Sequence, residues 1–394
     1  MRYLKRNIEN QISHYLKIFP AVGITGPRQS GKSTTLKTVF GNKYTYLSFD
    51  DPLNVDFFNN DPRGFIKEYK KHIIFDEVQR VPQIFNYLKI EIDNHRQNYG
   101  RYILTGSSQF NLLKSITESL AGRIGLLSLL PLELKETPPS LRKSHILLGG
   151  YPELITREYK DTKEWYGAYL QNYIERDVRT LHNIGNLRDF HRLIMLLAAR
   201  ASKELNMSGL AKKIGVTVKT IQSWISILEA SYIIFLLPSY HNNLGKRIVK
   251  RPKLCFYDTG LICYCTGIEN TNLLRRGPLD GQIFENYVIA EIKKNIMHYG
   301  KNQDLYYFRD NLGLECDLII EDKDNHQLSF IEIKSNDTPK REMITPIKIL
   351  IEKYQQSELS SLYKIQGYLI YRGSQNGNFK ENIKYINYQD FILT

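Results

Sequence analysis

Two glycines five positions apart, with a lysine and a serine directly after the second, limit this chain more than any other feature. The run is Gly26-Pro27-Arg28-Gln29-Ser30-Gly31-Lys32-Ser33, followed by Thr34. Glycines at both ends let the backbone curl until its N–H groups converge, which makes a cradle for phosphate oxygens. Lys32 is then placed to reach the outer phosphates and the Ser33 hydroxyl to ligate Mg2+. Such a loop needs a strand before it and a helix after it. The sequence supplies both: Ala21-Val22-Gly23-Ile24-Thr25 is a short apolar run of buried-strand type, and a helical pattern starts at Lys32. Gly26, Pro27, Arg28, Gln29, Ser30, Gly31, Lys32, Ser33 and Thr34 are the expected nucleotide-binding residues, with ATP and Mg2+ as cofactors.

Further apolar runs at 44–49, 72–75 and 102–105 alternate with helical stretches. Strands alternating with helices predict an α/β fold whose parallel sheet is covered on both faces. The run His72-Ile73-Ile74-Phe75 ends in Asp76-Glu77. At ordinary domain distance from the glycine loop, this reads as the partner carboxylate pair: Asp76 in the Mg2+ shell and Glu77 as the base that polarises the attacking water. The run Tyr102-Ile103-Leu104-Thr105 ends in Gly106-Ser107-Ser108, and Ser107 or Ser108 suits a sensor of the γ-phosphate or the water. Arg123, in Ala121-Gly122-Arg123, reads in two ways. It is either an arginine finger, acting in cis or from a neighbouring subunit, or a helix-end arginine in a surface ion pair.

These segments together resemble a family of prokaryotic AAA-type ATPases. The resemblance rests on Gly-Pro-Arg-Gln-Ser-Gly-Lys-Ser, on Phe75-Asp76-Glu77-Val78-Gln79-Arg80-Val81-Pro82, on Leu104-Thr105-Gly106-Ser107-Ser108 and on Ala121-Gly122-Arg123. It continues through Gly149-Gly150-Tyr151-Pro152-Glu153, Tyr173-Ile174-Glu175-Arg176-Asp177-Val178 and Pro252-Lys253-Leu254-Cys255-Phe256-Tyr257-Asp258-Thr259-Gly260-Leu261. It implies an ATPase core followed by a domain of unknown function, and ATP use, with no defined cellular task.

Beyond the breaker-rich Thr137-Pro138-Pro139-Ser140, the pattern turns helical, with Tyr166, Tyr169, Leu170, Tyr173 and Ile174 on one face. Residues 205–225 then fit a helix-turn-helix. Asn206 or Ser208 caps a first helix, Gly215 makes the turn, and Thr217 caps a second helix that buries Ile221, Ile225 and Leu228. Its open face carries Lys219, Gln222 and Ser223. The apolar strand 232–237 and the basic run Lys246–Arg251 extend this to a winged form. Such a unit contacts DNA in some proteins and serves as a lid or subunit contact in others.

Three segments close the chain. Gly281-Gln282-Ile283-Phe284-Glu285-Asn286 starts a helix, Glu315-Cys316-Asp317-Leu318-Ile319-Ile320 enters a strand, and Phe330-Ile331-Glu332-Ile333-Lys334 lies on another. Alternation puts Glu332 and Lys334 on one face, a hairpin brings Asp317 to Glu332, and Glu285 is expected from a helix packed on that same face. Two carboxylates in one site favour a hard divalent cation, Mg2+ or Mn2+. The set resembles the PD-(D/E)xK nuclease superfamily, which implies Glu285, Asp317 and Glu332 as metal ligands with Lys334 beside them. Cys316 stands where that pattern has proline, and no glutamine follows Lys334 on the next helix.

The predicted architecture is therefore a P-loop parallel-sheet core (1–140), a helical lid and winged-helix middle (141–265) and a restriction-endonuclease-like α/β end (270–394). Lys and Arg number 54 against 41 Asp and Glu, a formal charge of +13, which points to an anionic partner beyond ATP, with DNA first. Three functions compete: an ATP-regulated nuclease, a DNA-binding ATPase with a silent nuclease fold, and an ATP-driven protein-binding or assembly switch. The four cysteines lack zinc or disulfide spacing and read as buried thiols. No stretch approaches the ~20 apolar residues of a membrane span. The expectation is a cytoplasmic protein without a membrane partner, able to form oligomers.

Overall fold

In the computed structural model the apolar run before the glycine loop is strand β1 (Ala21–Thr25), buried at every position. The structure describes residues 3–106, 119–173, 186–240, 251–356, 361–380 and 382–394. Around β1 lie β2 (Thr45–Ser48), β3 (Ile73–Asp76), β4 (Tyr102–Thr105) and β5 (Ile124–Ser128), in the order β2-β3-β4-β1-β5. All four pairings are parallel. A parallel sheet must be covered on both faces, and two separate apolar clusters do this. On one side α1 (Glu9–Tyr15) and α2 (Lys32–Phe40) bring Ile8, Ile12, Leu36 and Phe40 against Val22, Ile24, Ile74 and Ile103. On the other, α3 (Pro52–Asn60), α4 (Pro62–Glu68) and α5 (Ile84–Asn94) bring Phe58, Phe65, Leu88 and Ile92 against Phe75, Tyr102 and Leu104.

The middle is helical: α6 (His145–Leu148), α7 (Pro152–Thr156), α8 (Thr162–Tyr173), α9 (Leu187–Ala198), α10 (Met207–Ile214) and α11 (Val218–Ala230). Helices α10 and α11 form the expected helix-turn-helix. Asn206, rather than Ser208, caps α10 by accepting from Gly209 N. Gly215 takes the left-handed turn at φ 89, and Thr217 caps α11 by accepting from Thr220 N. Strands β6 (Ile234–Leu237) and β7 (Lys253–Phe256) pair antiparallel behind it. The basic run expected as a wing, 246–250, and residues 174–178 of the family-like motif lie outside the described residues. Helices α12 (Thr259–Thr266) and α13 (Thr271–Arg276) follow.

Two motifs that carried the resemblance without a stated role meet here. The Asp258 carboxylate caps α12 through Leu261 N, accepts from Gly150 N at 2.7 Å and from the Tyr166 hydroxyl at 2.6 Å. A Cβ on Gly149, whose φ is 81, would lie 2.1 Å from the Tyr166 oxygen. The glycine pair is therefore the price of a close junction between the middle helices.

The chain ends in helix α14 (Asp280–Tyr299), a mixed six-stranded sheet and two helices, α15 (Thr345–Gln355) and α16 (Tyr388–Leu393). The strands are β8 (Gln303–Arg309), β9 (Glu315–Asp322), β10 (Gln327–Lys334), β11 (Lys364–Tyr371), β12 (Gly377–Lys380) and β13 (Ile383–Asn387), ordered β12-β13-β11-β10-β9-β8. Helix α14 does not pack on the Glu332 face, as the sequence suggested. It buries Leu318, Ile320, Ile331 and Ile333, the opposite face, while α15 covers Ile319, Leu328 and Phe330. The physical reason is the pleat: Glu332 alternates with Ile331 and Ile333, and α14, apolar at Val288, Ile289 and Ile292, needs the aliphatic side. The middle and α14 share one apolar core, which runs without a break across residues 265–270.

A buried polar network fastens α14 to the segment after β5. His298 Nε2 accepts from Leu130 N at 3.1 Å, which leaves Nδ1 to donate to Glu133 Oε1 at 2.5 Å. Asn295 donates to the other Glu133 oxygen at 3.1 Å. One turn earlier Glu291 accepts from Leu134 N at 2.6 Å and pairs with Lys294, which donates to Leu132 O at 3.0 Å. Against the effect of burial, His298 and Asn295 hold Glu133 below its usual range, whereas burial pushes Glu291 up to about 7. His298→Ala removes two bonds at once and strands a carboxylate oxygen and an N–H, both buried. Urea unfolding of this variant is expected to show a loss of about 3 kcal/mol; a midpoint equal to wild type would mean that the network carries no stability.

Candidate nucleotide site and C-terminal carboxylate cluster

The glycine loop is built as its spacing demands. Gly26 has φ 135, and a Cβ there would lie 2.0 Å from Leu129 O; Gly31 has φ 91. The second glycine leads into α2, so Lys32 and Ser33 occupy the first helical turn. Lys32 is 8% exposed, and its ammonium donates to Gly26 O and Pro27 O, both at 2.8 Å. Ser33 Oγ donates to Asp76 Oδ2 at 2.8 Å, across from the end of β3. The Tyr46 hydroxyl donates to the same Asp76 oxygen, and burial followed by this bond holds the phenol above its usual pKa. Glu77 follows at φ 56, a left-handed conformation uncommon for a side chain of this kind, and its carboxylate accepts from Gln79 Nε2.

A cavity of about 460 Å³ opens over these groups, lined by Arg28, Gln29, Gly31, Lys32, Ser33, Thr34 and Glu77, with Tyr169 and Asn172 of α8 opposite. A second hollow of about 320 Å³ adjoins it, sharing Gln29, Gly31 and Thr34 and adding Tyr3, Leu4, Leu132 and Pro152. The donor set fits Mg2+: a hydroxyl and a carboxylate oxygen, both hard ligands, already point at one another. Sequence reasoning missed Arg6. Its buried guanidinium donates to Ser30 O of the loop at 2.8 Å, to Leu130 O at 2.7 Å and to Glu136 Oε1 at 3.1 Å. No local pattern marks it, because its partners lie far away in the chain.

Ser107 and Ser108 lie outside the described residues. Arg123 is not brought to the loop. Parallel register sets Ala21 opposite Ile124 and Thr25 opposite Ser128, so Arg123 sits at the other end of the sheet from Gly26, roughly 13–16 Å away along the strand. It forms a two-pronged pair with Asp93, Nε–Oδ1 at 2.6 Å and Nη2–Oδ2 at 2.9 Å. A finger acting in cis is thereby corrected to the surface ion pair. Arg123→Ala is expected to leave ATP affinity within about twofold of wild type, since exposed pairs contribute little. A nucleotide titration by fluorescence checks this.

The C-terminal residues do come together. Antiparallel register carries Leu318 to Ile331, and Asp317 and Glu332 are the next residues along the two strands. Ile333 N donates to Asp317 Oδ2 at 2.9 Å, and the Lys334 ammonium reaches Asp317 Oδ2 at 3.0 Å and Glu332 Oε2 at 2.6 Å. Burial first, then the Asp317 charge, push Glu332 up to about 8 and Glu285 to about 7. Glu285 arrives at the end of the sheet through Lys253 of β7, a residue the sequence did not suggest: Nζ–Oε1 is 2.9 Å. Among the described residues, the acidic and histidine groups with ligand atoms all within 4.8 Å are Glu133, Glu136 and His298, not the C-terminal carboxylates. Those three are already committed to His298, Asn295, Arg6 and backbone N–H donors. All four cysteines are buried and unpaired. No helix among the described residues is long and apolar enough to cross a membrane.

Three family models match successive parts of the chain. Residues 19–137 match a family described as an AAA domain, residues 140–272 a domain of unknown function (DUF8612), and residues 280–391 a domain of unknown function (DUF4143). An uncharacterized protein of Mycobacterium tuberculosis is 29% identical over 337 residues, 85% of this chain and 75% of that protein. An uncharacterized protein of Methanocaldococcus jannaschii is 24% identical over 355 residues, 82% and 76% of the two chains. Among solved structures, a Walker-type ATPase of Pyrococcus abyssi superposes with a TM-score of 0.45 at 13% identity, over 67% of this chain and 96% of that one. The RuvB Holliday junction branch migration motor of Thermotoga maritima gives 0.30 at 15%, over 58% and 88%. These low scores transfer no function. The chain carries an AAA-type P-loop ATPase domain followed by two domains of unknown function.

Proposed function

We propose that the protein binds Mg-ATP at the Gly26–Thr34 loop and hydrolyses it. The observation that carries this is the 2.8 Å contact between Ser33 Oγ and Asp76 Oδ2. It supports the reading because a hydroxyl and a carboxylate oxygen, the pair a Mg2+ ion would take as ligands, meet at the end of the glycine loop. Lys32 exchanges its two loop carbonyls for β- and γ-phosphate oxygens. Glu77 takes the proton of the attacking water, and Gln79 orients its carboxylate until then. The phosphates occupy the larger of the two cavities, and the adenine ring fits the hollow between Leu4, Leu132 and Pro152, which is walled on one side by α7. Binding therefore joins the first two domains.

Lys32→Ala is expected to weaken ATP binding by about 10- to 100-fold, the loss of one charge-assisted contact to phosphate. Glu77→Gln should keep binding and slow turnover by about 10²- to 10³-fold. Full phosphate release by purified Glu77→Gln would remove Glu77 as the base.

A second element of the reading is action on DNA. It is favoured by the exposed face of the helix-turn-helix, where Lys212, Lys213, Lys219, Gln222 and Ser223 all face solvent. Anisotropy of a labelled duplex is expected to fall steeply with salt, and Lys219→Ala with Gln222→Ala to weaken binding about tenfold without loss of fold. No binding at low salt, with or without ATP, would leave the assembly-switch reading.

A further inference from the structure

The C-terminal carboxylates are held by a cation from another part of the chain. Lys253 opens β7, in the hairpin behind the helix-turn-helix, and is 3% exposed. Its ammonium lies 2.9 Å from Glu285 Oε1, 3.0 Å from Glu315 Oε1 and 4.0 Å from Asp317 Oδ1, and 5.3 Å from the Tyr307 ring centre. Lys334 serves Asp317 and Glu332 from the other side. Four carboxylates from three elements are thus bridged by two ammonium groups.

The backbone around Lys253 is fixed to the same sheet. Tyr307 of β8 donates its hydroxyl to Arg251 O at 2.5 Å, its N–H to Pro238 O at 3.0 Å, and accepts from Tyr240 N at 2.6 Å. The ammonium cannot swing away while β7 stays docked. A divalent ion at the same oxygens would sit within a few ångströms of that charge, where like charges out of water repel strongly. Each of the four carboxylates already has an ammonium partner, so an incoming ion must displace one.

We propose that Lys253 is the resident cation of this cluster: it stands in place of a divalent metal, closes the carboxylates to outside cations, and latches the β6–β7 hairpin to the C-terminal sheet. Metal-dependent chemistry at Asp317 and Glu332 is then shut off for as long as β7 is docked. The inference is independent of the reading of the nucleotide site.

The test uses the full-length, nucleotide-free chain. Mn2+ calorimetry should give the same isotherm for wild type and Glu332→Gln, and Mn2+ should leave the wild-type melting temperature unchanged. Lys253→Met should melt about 5–10 °C lower in EDTA, because carboxylates are left buried without their cation. Mn2+ should recover at least half of that loss, and the recovery should vanish when Asp317→Asn is added. Three results would overturn the proposal. One is wild-type Mn2+ binding about tenfold or more tighter than that of Glu332→Gln. The others are a Lys253→Met melting temperature equal to wild type in EDTA, and one that Mn2+ does not raise. If Lys253→Met does not fold, the wild-type and Glu332→Gln isotherms decide alone.

Discussion

The Arg6 guanidinium is the interaction on which the arrangement of the whole chain turns. One of its nitrogens holds the Ser30 carbonyl inside the phosphate loop, a second holds Leu130 just past β5, and the third holds Glu136. The other Glu136 oxygen accepts from Glu133 N, and the Glu133 side chain is bound by His298 and Asn295 of α14. A single line of buried bonds thus runs from the nucleotide loop to the first helix of the C-terminal domain. Each link is a charged or strongly polar group out of water, and loss of any one leaves its neighbour unsatisfied. The segment 129–137 cannot shift against α14 without breaking several of these bonds together. That makes it a stiff connection rather than a linker.

The sequence disclosed what depends on near neighbours. The loop, its strand and its helix lie within the twenty consecutive residues Ala21 to Phe40, so spacing alone placed Lys32 beside Gly26 and Ser33 at the start of α2. Asp76 was legible only through the loop: a carboxylate at a strand end reads as easily as a helix cap, and domain distance downstream of the glycines is what makes it a candidate Mg2+ ligand. The helix-turn-helix was equally open, since Gly215 and the Thr217 cap are local requirements of a tight turn. What failed was direction and distance. Arg123 reads well as a finger acting in cis until parallel register puts it at the far end of β5 from the loop. Glu285 reads as lying on the Glu332 face until the aliphatic side of β10 claims α14. Arg6 and Lys253 could not have been read at all. A lone basic residue bears no sign of the acid that will meet it, more than a hundred residues away for Arg6 and from two different elements for Lys253.

The glycine pair Gly149-Gly150 shows a third case, in which the motif was visible but its purpose was not. It sits where Asp258 and Tyr166 converge, and no side chain fits there. The next residues, Pro152 and Glu153, line the hollow beside the phosphate loop. The requirement is one of packing, yet it positions the wall of the nucleotide site, so structural and functional demands fall on the same five residues.

Lys32 and Lys253 are both nearly buried ammonium groups, and the contrast between their partners separates a receptor from a latch. Lys32 donates to backbone carbonyls, which are uncharged, so an arriving phosphate offers those donors a stronger acceptor and the exchange is downhill. Lys253 donates to the buried Glu285 and to the partly exposed Glu315, and any replacement must bring at least equal charge to the same place. The first arrangement is poised to change on ligand binding, and the second resists change. Between them runs the Arg6–Glu136–Glu133–His298 line, which ends on the last turns of α14, while the first turns of the same helix hold Glu285, the partner of Lys253.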